Sequence, residues 1–171
     1  MLFRVIPRYT RAQNDQLRAL ESAIKQKTLP MGELVNKIVA HNETFSSVDS
    51  VIVSARVFKM CRHETDRNRI SSSLNMSGFV GIDTTSRLSI YLWGCAVIGV
   101  QPPNVFPDLI NTENLNCKEF CNIAWALSKW SRNDTQIRNT LFTLLNGCSE
   151  DLLSQMSEED LTVLAKCYTH L

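Results

Sequence analysis

Residues 119–130 read Glu-Phe-Cys-Asn-Ile-Ala-Trp-Ala-Leu-Ser-Lys-Trp. The apolar Phe120, Ile123, Ala124 and Leu127 recur at three and four residues, so they line one face of a helix. Asn116 precedes the run as an N-cap, and Glu119 three residues later fits a capping box. Ala124, four residues after Phe120, is small enough to let a second helix approach closely. A helix built to be packed upon is the first inference.

The same pattern recurs on both sides. Leu17, Val51, Leu88, Phe120 and Leu161 each open an apolar helical face, at steps of 34, 37, 32 and 41 residues. Four residues after the last four stand Ala55, Leu92, Ala124 and Ala165, and Ser47, Thr85, Asn116 and Ser157 precede them as caps. Between these helices lie second ones carrying Leu34 and Ile38, Ile70 and Leu74, Val105 to Ile110 after Pro102-Pro103, and Ile137 to Leu145. No segment alternates with period two over a useful length. Two helices per 30–45 residues predict an all-α chain, an α-solenoid of about four helical hairpins. The hairpins fall at about 10–42, 47–77, 84–112 and 116–147, with an incomplete repeat at 157–171. A compact bundle with coincidental spacing is the alternative. Alanines 55, 124 and 165 are expected at buried helix crossings, and the last helix is expected to pack back on 134–146.

Composition agrees with a folded, helical chain. Of 171 residues 44% are hydrophobic and 20% charged, with 6 Gly and 5 Pro, which excludes disordered and collagen-like classes. No run of 18 apolar residues could span a membrane. Cysteines 61, 95, 117, 121, 148 and 167 form no CxxC pair, so they read as reduced structural thiols, without a metal site. Charge is balanced overall but not along the chain: residues 1–75 hold 12 basic and 7 acidic side chains, residues 76–171 hold 6 and 10. A polyanion would meet the first half, and other proteins the second.

The 119–130 stretch, echoed by Ser89-Ile-Tyr-Leu-Trp93-Gly-Cys-Ala96 with Trp93 and Trp125 32 residues apart, carries a family resemblance. It resembles the octotricopeptide and heptatricopeptide class of organellar helical repeats, including those accompanying RAP domains and FAST-kinase-domain proteins. The match is good over 116–147, fair over 84–112, and a pattern elsewhere. The resemblance implies an organellar, RNA-linked helical array; it assigns no base-reading positions.

Chemistry-bearing patterns are sparse. His41, His63 and His170 are scattered, no nucleophile–base or phosphate-loop motif occurs, and the acids at helix starts read as caps. The expectation is a chain that is not an enzyme and takes no cofactor or small-molecule substrate. Arg56, Lys59 and His63 are spaced for one helical face, and Arg62, Arg67 and Arg69 follow, making the densest basic patch and a candidate phosphate contact. Residues 1–9 form a basic N-terminal arm, and Arg4, Arg8 and Arg11, with no acid before Asp15, also have the composition of a mitochondrial targeting segment. Trp93 and Trp125 fit inter-hairpin packing better than base stacking, and Trp130 is the candidate for exposure. Leu161, Leu164 and Tyr168 line the last helix as a candidate protein interface. Together these predict a non-catalytic structural subunit of a mitochondrial ribosome or related ribonucleoprotein. It would bind RNA, specifically rRNA, with its basic half and neighbouring proteins with its acidic half. An organellar RNA-processing or stability factor, and a protein scaffold without RNA contact, are the alternatives.

Overall fold

The computed structural model describes residues 11–44, 48–74, 84–102, 110 and 114–171, apart from the side chains of residues 13, 14 and 44. Among them are nine helices and no strand: α1 Arg11–Gln26, α2 Met31–Thr44, α3 Val48–Met60, α4 Glu64–Ser73, α5 Thr85–Ile98, α6 Cys117–Trp130, α7 Thr135–Asn146, α8 Glu150–Ser154 and α9 Glu158–Tyr168. The expected helix near 102–112 falls mostly outside the described residues. The five-residue α8 was not foreseen. The chain divides into two compact units, residues 1–82 with 97–103 and residues 83–96 with 104–171.

In the first unit α1 ends where Lys27 takes a left-handed turn (φ 52) and the Thr28 N–H donates to the Ala23 carbonyl at 3.3 Å. Pro30, which offers no N–H, stands just before α2 and accepts from Leu34 at 3.0 Å. The chain therefore reverses within a few residues, and α2 packs against α1. α3 then packs on α1 and α2, and α4 on α2 and α3. Arg69 of α4 bonds Asn36 of α2, and Ser73 of α4 bonds Asn42 of α2, so α2 and α4 run in the same direction. Leu20, Leu34, Ile38, Val57 and Ile70 close a common core. Each such side chain taken from water contributes roughly 1.5–3 kcal/mol before entropy is subtracted.

In the second unit α5, up to Ala96, buries Leu88, Tyr91, Leu92 and Cys95, while its last residues and Gly99 (φ 81), which terminates it, are assigned to the first unit. The foreseen capping box of α6 is present, with Asn116 and Glu119 exchanging bonds of 3.0 and 3.1 Å. α6 packs against α7 on one side and α9 on another. Cys121 of α6 bonds the Asp160 carbonyl and Ser131 bonds the His170 carbonyl, so α6 and α9 run in the same direction, 39 residues apart in sequence. α9 thus rests on α6 rather than chiefly on 134–146. A single bond from the Tyr168 hydroxyl to the Leu145 carbonyl, 3.4 Å, ties its end to α7.

Ala55 and Ala124 are fully buried, as their spacing predicted. Ala165 is exposed. Its position in the repeat is the same, but no helix among the described residues lies over it.

Candidate nucleic-acid and protein interfaces

The basic patch lies within the first unit, and the structure divides it. Arg56 and Lys59 are exposed on α3, but the helix stops at Cys61, whose N–H donates to the Val57 and Phe58 carbonyls. His63 is extended (φ −93, ψ 134) and begins α4 without a side-chain cap bond. It therefore does not continue the α3 face with Arg56 and Lys59, contrary to its spacing. The reason is local: an extended residue cannot propagate the helical repeat. Arg62 and His63 stand exposed in the turn.

Three of the arginines are already engaged. Arg56 Nη1 lies 3.4 Å from Glu21 Oε1, with both side chains about half exposed. Arg67 Nε donates to the Cys61 carbonyl at 3.1 Å, with its guanidinium 5.5 Å from the Phe58 ring centre. Arg69 donates to Asn36 Oδ1 at 2.7 Å and sits 4.0 Å from Asp66 Oδ1. Exposed pairs of this kind contribute little to stability. A guanidinium carries five donors, so one or two internal bonds fix its direction while the remaining donors face outward. Arg11 is exposed at the start of α1. Arg4, Arg8 and the rest of the 1–9 arm lie outside the described residues.

Within the first unit the sequence hid a buried polar network. His41 and Ser50 are 2% and 1% exposed, and His41 Nε2 lies 3.2 Å from Ser50 Oγ. Asn42 Nδ2 donates to Ser54 Oγ at 3.0 Å and Ser73 Oγ at 2.9 Å, joining α2, α3 and α4. Burial lowers the His41 pKa, favouring the neutral ring. A histidine beside a serine has the composition of a base–nucleophile pair, but the two are sealed from solvent. Their placement explains packing.

In the second unit Leu164 is buried, at 5% exposure, whereas Leu161 and Tyr168 are 44% and 51% exposed. Leu164 therefore belongs to the core against α6, and the available face is formed by Leu161, Ala165 and Tyr168. Trp93, Trp125 and Trp130 are all half-buried, so Trp130 is not the exposed one its place at the helix end predicts. The Lys129 ammonium sits 5.0 Å from the Trp125 ring centre. Burial raises the pKa of the Cys121 thiol to about 12, and Asp160 beside it acts in the same sense. Burial likewise raises Cys95 to about 12. Among the described residues no group of three or more His, Cys, Asp or Glu side chains is placed to hold a metal. No helix among them is long and apolar enough to cross a membrane.

Comparison with known proteins adds no assignment: no family model, curated protein or solved structure matches the chain.

Proposed function

We propose that the chain is a non-catalytic helical-repeat protein, an α-solenoid segment serving as a structural subunit of a mitochondrial ribosome or a related organellar ribonucleoprotein. The observation that carries this reading is the stacking of like helix on like helix within each unit. α2 lies parallel to α4 with bonds spanning 33 and 31 residues, and α6 parallel to α9 with bonds spanning 39. That separation agrees with the sequence period, and such stacking generates extended surfaces for RNA and protein. The organellar and RNA-linked parts rest on the resemblance of 116–147 and on the acid-free, arginine-bearing N-terminus. Outward cations of α3, α4 and the turn at Arg62 offer the RNA contact, and the acidic second half faces proteins.

A second reading draws on a specific observation: Arg56 and Arg69 already have acidic partners within the chain. On that reading the patch is structural and the protein is a scaffold without RNA contact. Binding of single-stranded and duplex RNA across a salt series separates the two. If the patch holds phosphate, Arg56→Ala with Lys59→Ala weakens binding almost equally for all sequences. It also lowers the salt slope by roughly 0.7–0.9 per lost contact. An unchanged slope removes the patch from the interface. Co-sedimentation with mitochondrial ribosomal particles, against free transcripts, then separates a ribosomal subunit from a processing or stability factor.

A further inference from the structure

Helices α6 and α9 begin alike. Asn116 and Ser157 are N-caps with reciprocal bonds to Glu119 and Asp160, three residues on in each case. Aligned on these caps, Phe120 corresponds to Leu161, Ala124 to Ala165 and Leu127 to Tyr168. On α6 the three are sealed, at 2%, 0% and 0% exposure, with α7 and α9 packed against the helix. On α9 the same three positions are open: Leu161 is 44% and Tyr168 51% exposed, and Ala165 is exposed as well. One face, in one register, is covered on the first helix and about half exposed on the second. Isolated apolar side chains on a surface need no explanation, but a stripe whose counterpart is covered by a helix has a defined shape.

We propose that Leu161, Ala165 and Tyr168 form the seat of one amphipathic helix from a neighbouring protein, whose flanks carry lysine or arginine. The inference rests on reading the chain as a member of a larger assembly, and it names the kind of partner. Shape argues for a helix, because helices α7 and α9 pack on α6, whose matching stripe is sealed, and Ala165 leaves room for close approach. Charge argues for the basic flanks. Residues 147–171 carry five carboxylates and one lysine, and Glu158 lies one turn from Leu161 on the same side of α9. Glu150, Asp151 and Glu159 are exposed close by in sequence. A second copy docking through this stripe would bring the same net-negative segment to both sides of the interface. RNA would meet the same repulsion.

The test uses the full chain and a synthetic helical peptide copying Thr135–Asn146, the helix that packs on α6, cyclised on its outer face. One version carries Gln136→Lys, Asn139→Lys and Thr143→Lys, and the other carries Glu at those positions. At low salt the lysine peptide is expected to bind at least about tenfold more tightly than the glutamate peptide, with the gap narrowing as salt screens the charges. Leu161→Asp should weaken that binding at least about tenfold while leaving helicity and RNA affinity unchanged. Ala165→Trp, a steric block at an exposed position, should do the same. No binding, equal binding of the two peptides, or indifference to both substitutions overturns the proposal. Dimerisation of the chain that Leu161→Asp abolishes also overturns it, by giving the stripe to a second copy. A failed RNA titration leaves this result unaffected, so the two readings fail separately.

Discussion

In the first unit helices are fastened to one another by side chains bonding side chains: Asn42 to Ser54 and Ser73, His41 to Ser50, Arg69 to Asn36. In the second unit Ser128 and Cys167 pair by side chains, but several inter-helix bonds run from side chains to main-chain carbonyls: Cys121 to Asp160, Ser131 to His170, Tyr168 to Leu145. The first device fixes which residues must meet, since each partner is useless without the other. The second asks only for a small donor near a helix end, so it tolerates change in the neighbouring helix. Paired side chains suit a closed junction, and carbonyl acceptors suit one that can take another helix.

Substitutions at matched positions of α6 and α9 test this difference most strongly. Phe120→Ala should cost about 3–5 kcal/mol, whereas Leu161→Ala, open to solvent, should stay within about 0.5 kcal/mol. Denaturant midpoints that fall equally for both would mean that α9 is covered. Enlarging the small residue follows the same logic: Ala124→Leu should destabilise by roughly 1–3 kcal/mol through overpacking, and Ala165→Leu should be nearly neutral. A neutral Ala124→Leu would break the assigned crossing.

Asn42→Ala sharpens the contrast from the other side. It strips the buried Ser54 hydroxyl and the half-buried Ser73 hydroxyl of their common partner, a loss of about 1–3 kcal/mol. Ser131→Ala, which leaves behind only a carbonyl with spare acceptor capacity, should cost less. Equal losses would erase the distinction between the two fastenings.

Acid should produce the smallest effects, in two separate windows. Burial holds His41 below its ordinary 6.5, so the unfolded chain takes up a proton that the folded chain refuses. Stability is complete above that pH and declines as pH falls below it, and His41→Gln should remove this part of the profile. Asp160 is lowered from 3.8, first by its hydrogen bond from Ser157, so its contribution holds above 3.8 and is lost as pH falls through its folded value. Ser157→Ala should flatten that lower limb. A single window, or loss on raising pH, contradicts the assignment.

The helices were legible because their apolar residues recur at three and four and because Asn116, Ser157 and the turn at Pro30 mark their starts. α8 was not legible, since five residues show no full apolar period. The His41 and Asn42 network was missed because adjacent polar residues in a helix read as a solvated face. Only the approach of Ser50, Ser54 and Ser73 from other helices makes them core. Spacing placed Ala165 at a buried crossing and the structure leaves it exposed, because spacing carries no information on whether a crossing is filled. The basic patch was legible as composition and not as geometry. The break at Cys61 and the Glu21 partner 35 residues from Arg56 both depend on tertiary packing.

The thiols turn the whole chain into its own clock. Burial keeps Cys61, Cys95, Cys121 and Cys167 protonated and covered, with Cys95 and Cys121 raised to about 12. An alkylating reagent at neutral pH attacks the thiolate, so each of these sulfurs reacts only when its surroundings open. Half-exposed Cys117 and Cys148 are expected to label first. The order in which the others follow would time the opening of α3, α5, α6 and α9 one residue at a time, without a single foreign probe.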